Sequence, residues 1–223
     1  MYLIGTDVGT TGTKTVITDE NGTVYGKGYR EYELHAGPGG KVEQDAADWW
    51  DAVVFSVRAA LQTVPDREKV AAMALSTQGG STLAVDSDFE PISPAYTWMD
   101  ARAAEESREL EAEYGELIYR TSGWRCDASF DPPKMRWLAC HEPDVFRRAH
   151  QFVSTEEYIN MRLTGRSVTD PTNAAMRQLI NVAASDWDDT LLLLAGLIGF
   201  YLFRKARYRR MEPRKAVLSL MQE

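Results

Sequence analysis

Apolar and polar positions fall into short blocks from the first residue. Tyr2-Leu3-Ile4-Gly5-Thr6 is largely apolar and runs into Asp7, and Thr15-Val16-Ile17-Thr18 is β-branched and closed by Asp19-Glu20-Asn21-Gly22. These runs predict the two strands of a β-hairpin. Thr23 to Leu34 continues as a third, alternating strand, and His35 to Lys41, with three glycines and a proline, reads as a loop. Asp45 is placed to cap a helix, with Asp48 three residues later. Trp49, Val53, Val57, Ala60 and Leu61 recur at helical spacing and form its buried face; Pro65 and Asp66 end it. Val70 to Leu75 predicts a buried strand, Ser76 to Ser81 the turn after it, and Thr82 to Val85 another strand. Ala101 to Tyr114, rich in Glu and Ala, predicts a solvated helix for which Asp100 is the natural cap. Alternating strands and helices indicate an α/β domain.

The turn inside the first hairpin is longer than a plain hairpin needs. Asp7-Val8-Gly9-Thr10-Thr11-Gly12-Thr13-Lys14 holds a carboxylate, hydroxyls, an ammonium group and backbone N–H groups free of Cβ crowding. Those are the parts needed to hold a phosphate chain and its magnesium. Gly/Thr turns are also common as plain surface hairpins. The spacing is neither that of a Walker loop nor that of GxGxxG before a helix.

With 223 residues the chain has room for one large or two small domains, and its 44% hydrophobic and 26% charged content is ordinary for a globular protein. A net charge of −8 argues against nucleic acid as a partner. No secretory signal pattern opens the chain, and Cys126 and Cys140 read as reduced thiols of a cytoplasmic protein rather than a zinc site. His35, His141 and His150 lack metal-ligand spacing. The longest apolar run, Leu191 to Phe203, is shorter than the roughly 20 residues that a membrane span requires.

Asp7-x-Gly9-Thr10-Thr11-x-x-Lys14 after an N-terminal strand resembles the first phosphate motif of the actin-like ATPases. Further segments narrow the resemblance to the FGGY carbohydrate kinases. Val42-Glu43-Gln44-Asp45 with Trp49-Trp50 is similar to their V-E-Q-D-P-x-x-W-W. Ser76-Thr77-Gln78 and Trp98-Met99-Asp100-Ala101-Arg102 are similar to S-x-Q and W-x-D-x-R. Lys134 to Leu138 resembles K-x-x-W-L, Tyr158 to Gly165 resembles Y-x-x-x-R-L-T-G, and Thr169 to Ala174 resembles T-D-x-S-x-A.

The resemblance implies an actin-like (ribonuclease H-like) α/β N-terminal domain, a mixed β-sheet with flanking helices, over residues 1–197, followed by a divergent tail over 198–223. It implies a carbohydrate kinase, xylulokinase-like, using ATP and Mg²⁺. Asp7 would hold magnesium through water, Gly9, Thr10, Thr11 and Lys14 would meet the nucleotide, and Gln78, Asp100 and Arg102 would meet a sugar or polyol. Asp100 as a plain helix cap and Arg102 as a surface residue are the alternatives.

Three departures qualify this. Gly79-Gly80 follows the glutamine where xylulokinases usually carry Met-His and glycerol kinases Arg-Glu, and Ser129 stands where glycerol kinases have tyrosine; a more open acceptor pocket is expected. From Ile198 the text departs from the family, and Arg204 to Glu223 carries seven basic and two acidic residues. The G-x-x-D turn that supplies the family's general base is absent from the chain. The expectation is a truncated kinase, inactive alone, with a natural short form as the alternative. A non-catalytic sugar-binding or interaction module, half of a split kinase, is the other functional reading. Its partners would be a second copy of the chain or a complementing C-terminal half.

Overall fold

The computed structural model describes residues 1–196. In chain order its strands are β1 (Tyr2–Val8), β2 (Gly12–Asp19), β3 (Val24–Glu31), β4 (His35–Ala36), β5 (Val42–Gln44), β6 (Val70–Thr77), β7 (Leu83–Val85), β8 (Ala95–Tyr96), β9 (Gln151–Val153), β10 (Ile180–Asn181) and β11 (Asp186–Trp187). Its helices are α1 (Ala46–Leu61), α2 (Ala104–Ser122), α3 (Asp131–His141), α4 (Pro143–Arg148), α5 (Thr155–Thr164), α6 (Pro171–Met176) and α7 (Asp189–Leu194).

The main sheet runs β3-β2-β1-β6. The hairpin partners β1 and β2 are antiparallel, as are β2 and β3, while β6 lies parallel to β1. That mixed sheet with flanking helices is the architecture the family resemblance implies. The hairpin motif thus opens at the carboxyl ends of two parallel strands, where open α/β sheets place their ligands.

Asp45 caps α1 by accepting the Ala47 N–H at 2.8 Å. All five residues expected on the inner face of α1 are buried. The helix lies so close to β3 that a Cβ at Gly26 or Gly28 would overlap the carbonyl of Ala60 or Ser56. Glycine at these two strand positions is therefore a packing requirement.

Two local expectations fail. β6 is half-buried rather than buried, because among the described residues it lies at the edge of its sheet with a ladder partner on one side only. The helix expected from Ala101 begins at Ala104, and Asp100 does not cap it. Burial explains why, since Asp100 is 1% exposed and its oxygens are held elsewhere.

A second core gathers Ala84, Tyr96, Met135, Leu138, Phe152, Leu179 and Leu192 from the helical half. Beside it Arg177 joins Asp131 at 2.6 Å and Glu157 at 2.9 Å, all three nearly inaccessible. Glu157 also completes a capping box with Ser154 at the start of α5. Among the described residues no helix is long and apolar enough to cross a membrane. The expected boundary after residue 197, and the apolar run beyond Gly196, lie outside the described residues.

Candidate active site

Asp7 is the next-to-last residue of β1 and is exposed. Lys14, also exposed, is its cross-strand partner in the register of β1 and β2, so both side chains leave the same face of the hairpin. Between them the turn is held from below. Gly9 N–H donates to Gly12 O at 3.1 Å, and the Tyr32 hydroxyl donates to Gly9 O. Burial pushes the Tyr32 phenol up to about 12, with Asp7 nearby adding to the rise, so it remains a donor at neutral pH. A Cβ on Gly9 would sit 3.3 Å from Gly12 O and 3.9 Å from Asp7 Oδ2, filling the space beside the carboxylate.

The tip of the turn is tied to the segments expected to face the acceptor. Thr10 Oγ1 accepts from the Trp98 indole at 3.0 Å, and Thr10 O accepts from Gln44 Nε2 at 2.7 Å. Gln44 Oε1 in turn accepts from Gln78 Nε2 at 2.9 Å. The Gln78 backbone N–H donates to Val8 O at 2.8 Å, extending the β1–β6 pairing by one residue. Trp98 remains 45% exposed although it is among the largest apolar groups in the chain.

Asp100 and Arg102 are arranged differently. Asp100 Oδ2 accepts Val42 N–H at 2.8 Å, and its two oxygens take the Arg102 Nε, Nη2 and backbone N–H groups at 2.7–3.1 Å. Arg102 also reaches Glu43 at 2.6 Å, and its guanidinium lies 4.5 Å from the Tyr96 ring centre and 5.0 Å from that of Trp137. Arg102 therefore meets Glu43 while Gln78 meets Gln44, adjacent residues of β5 whose side chains point to opposite faces. Of the three residues expected to bind the acceptor, Asp100 and Arg102 pair with each other, while Gln78 meets Gln44 and is bonded to neither.

Lys134 carries the remaining architecture. Lys134 is 2% exposed, and its ammonium donates to Gly80 O at 2.6 Å, Thr97 O at 2.8 Å and Ser129 O at 2.8 Å. One cation thus joins three separate loops. Burial pulls its pKa down to about 8, opposed by the charges of Asp131 and Asp100.

The sequence from residue 2 to 202 matches the model for the FGGY family of carbohydrate kinases, N-terminal domain. The chain belongs to the FGGY carbohydrate kinases. It is 32% identical over 201 residues to a glycerol kinase of Thermococcus gammatolerans, covering 88% of this chain and 41% of that enzyme. A gluconate kinase from Lactobacillus acidophilus superposes with a TM-score of 0.83 at 32% identity, over 88% of this chain and 40% of that one. Ligand-bound xylulose kinase from the same organism gives 0.87 at 28% identity, over 99% and 45%. The chain spans about two fifths of the length of the relatives it matches.

For this FGGY chain the residues around the turn fit a magnesium–phosphate group. Magnesium keeps several waters and takes one or two carboxylates plus phosphate oxygens. Asp7 offers one open carboxylate, and Gly9 leaves room beside it. Among the described residues no cluster of three metal-ligating side chains exists, so a cation here would depend on the phosphate chain for its other ligands.

The expectation of an open pocket at Gly79-Gly80 is corrected by packing. A Cβ at Gly79 would meet the Met176 side chain at 3.2 Å, and one at Gly80 would meet Trp98 Cβ at 3.1 Å and Ser129 O at 3.3 Å. Met176 and Trp98 fill the space that the missing side chains leave. Two concavities, about 480 Å³ beside α2 and about 310 Å³ between α3 and α7, include no residue of the phosphate turn. Sequence reasoning gave no site role to Gln44, Trp98, Lys134 or Met176. The first three stood inside quoted motifs; nothing in the text around Met176 placed it against Gly79.

Proposed function

We propose that this chain supplies the phosphate-positioning and acceptor-binding half of a kinase that transfers the γ-phosphoryl group of ATP to a hydroxyl of a sugar or polyol. The carrying observation is that Thr10 is bonded through its hydroxyl to Trp98 and through its carbonyl to Gln44 and then Gln78. The phosphate turn and the acceptor side are one hydrogen-bonded unit. Phosphoryl transfer depends mainly on such positioning and on charge neutralisation.

In this reading Asp7 holds hydrated magnesium, Gly9, Thr10, Thr11 and Lys14 approach the phosphates, and Gln78 meets the acceptor. Asp100 and Arg102 act from behind, fixing β5 and the Trp98 loop on which the acceptor lies. Trp98 and Met176 offer an apolar wall in place of charged side chains at Gly79 and Gly80. That favours an acceptor presenting a carbon face, such as a pentulose or a longer polyol, in a xylulokinase-like reaction in the cytoplasm. The general base and the adenosine contacts are assigned to a second domain, on a continuing or separate polypeptide. The share of its relatives that the chain spans favours a second reading for residues 1–223 taken alone, a module that binds acceptor without turnover.

The test is a fluorescence titration of residues 1–223 with glycerol, xylitol, xylulose and gluconate. At least one should give a saturable change in tryptophan emission that Trp98→Phe diminishes. An absence of saturable binding across the panel would overturn the acceptor assignment.

A further inference from the structure

The side chains that join the acceptor loop to the phosphate turn have hydrogen-bond directions that are determined rather than free. The Trp49 indole can only donate, and it donates to Gln44 Oε1 at 3.1 Å. That turns the Gln44 amide nitrogen toward two carbonyls, Thr10 O at 2.7 Å and Glu33 O at 3.5 Å. Gln78 meets the same Gln44 oxygen, so it must present its own nitrogen, at 2.9 Å. The oxygen of Gln78 is thereby left without a partner among the described residues, and it is buried. Gln44 itself is 1% exposed and Gln78 8%. Gln44 is fully satisfied; Gln78 is an acceptor waiting for a donor, a costly state in a protein interior until one arrives.

We propose that Gln44 is a positioning residue that passes acceptor occupancy at Gln78 to the phosphate turn at Thr10, and that the group Gln78 takes is a hydroxyl donating its proton. The proposal rests on the kinase reading above. A hydroxyl bonded to Gln78 Oε1 polarises that amide and strengthens its N–H bond to Gln44. Gln44 then holds the Thr10 carbonyl more firmly, since linked hydrogen bonds reinforce one another in a low-dielectric interior. Thr10 is already held at its hydroxyl by Trp98. With its hydroxyl and its carbonyl both held from the acceptor side, the turn is fixed most firmly when the acceptor is present. Such an arrangement disfavours transfer of the phosphoryl group to water.

The experiment is ¹⁵N-resolved NMR of residues 1–223 titrated with glycerol and with xylitol. The amides of Gly79 and Gly80 report the acceptor loop, and those of Gly9 and Gly12 report the phosphate turn. In the wild-type chain both pairs should shift along one saturation curve. Gln44→Glu keeps an oxygen for Trp49 and Gln78 but offers no N–H to Thr10. In that variant Gly79 and Gly80 should still saturate, and coupling to Gly9 and Gly12 should fall by about 5-fold or more, the lower end of ordinary coupling between sites. Gln44→Met, which is neutral, repeats the test should the carboxylate prevent folding. Undiminished Gly9 and Gly12 shifts in a folded variant would overturn the relay. So would wild-type shifts confined to Gly79 and Gly80, and in both cases the acceptor reading would stand. If neither polyol moves Gly79 or Gly80, xylulose and gluconate complete the series; no shift with any of the four overturns the acceptor reading, and the relay falls with it.

Discussion

Asp7 and Asp100 are both carboxylates of the predicted site, and the fold treats them in opposite ways. Asp7 stands near the end of its strand in the open, with free space beside Gly9. Asp100 is 1% exposed and takes hydrogen bonds from Val42 and Arg102 on both oxygens. An ionised carboxylate has about four lone-pair sites, and Asp100 has committed them to the protein. A carboxylate left in water retains its capacity for a cation at little cost to stability, whereas one taken out of water must be paired. The difference separates residues that can act on a ligand from residues that hold those residues in place. Lys134 and Arg177 belong with Asp100, and Lys14 with Asp7.

The comparison can be broken by stability measurements, starting where the largest change is expected. Arg177→Met leaves Asp131 and Glu157 buried without their shared cation. A loss of about 3–5 kcal/mol in denaturant unfolding is expected, and a loss below about 1 kcal/mol would remove Arg177 from the closed class. Asp100→Ala should cost about 3 kcal/mol by the same reasoning, because Arg102 retains Glu43 but loses its principal partner.

Glu156 is an intermediate case, buried yet paired with no cation among the described residues. Burial raises its pKa to about 7, despite a hydrogen bond from Thr169 at 2.8 Å. Because the folded value lies above the unfolded one near 4.5, the fold favours the protonated form. The stabilisation it contributes is complete below pH 4.5 and is lost as pH rises through about 7. Glu156→Gln should therefore raise stability by about 1–3 kcal/mol at pH 8, with the gain vanishing toward pH 4.5; a gain independent of pH would refute the cause. Asp7→Ala should change stability by no more than about 0.5 kcal/mol, as expected for an exposed side chain outside any network.

These outcomes bear on what could be read from the text. The hairpin, α1 and its buried face were legible because each depends on local signals: β-branched runs, a capping aspartate, and apolar residues at helical spacing. The place of Asp7 near the end of the first strand was legible for the same reason, and the structure leaves its side chain exposed there. Asp100 misled as a helix cap because Val42, which donates to it, and Glu43, which holds its neighbour Arg102, are brought to it by tertiary packing. Lys134 is the sharper case. Its three nearest carbonyl partners belong to Gly80, Thr97 and Ser129, and no residue pattern encodes such bonds to main-chain oxygens of other loops. The glycine pair at Gly79-Gly80 suggested empty space, and only packing shows Met176 and Trp98 within it.

The central claim is that the Asp7 turn and the acceptor side of this chain make up half of a sugar-kinase site. The most direct test places residues 1–196 in front of the remainder of the Lactobacillus acidophilus xylulose kinase and follows coupled ADP release. Residues 1–223 alone serve as the comparison, together with the Asp7→Ala form of the chimera. The chimera should release ADP only when xylulose or another acceptor is present, and Asp7→Ala should lower that rate by about 10²-fold or more, as expected for loss of electrostatic stabilisation at the reacting group. Residues 1–223 alone, without the family's general base, should show no acceptor-dependent release, since that loss by itself typically removes about 10²–10⁴-fold. Acceptor-dependent release by a folded chimera that is unchanged in Asp7→Ala would contradict the account.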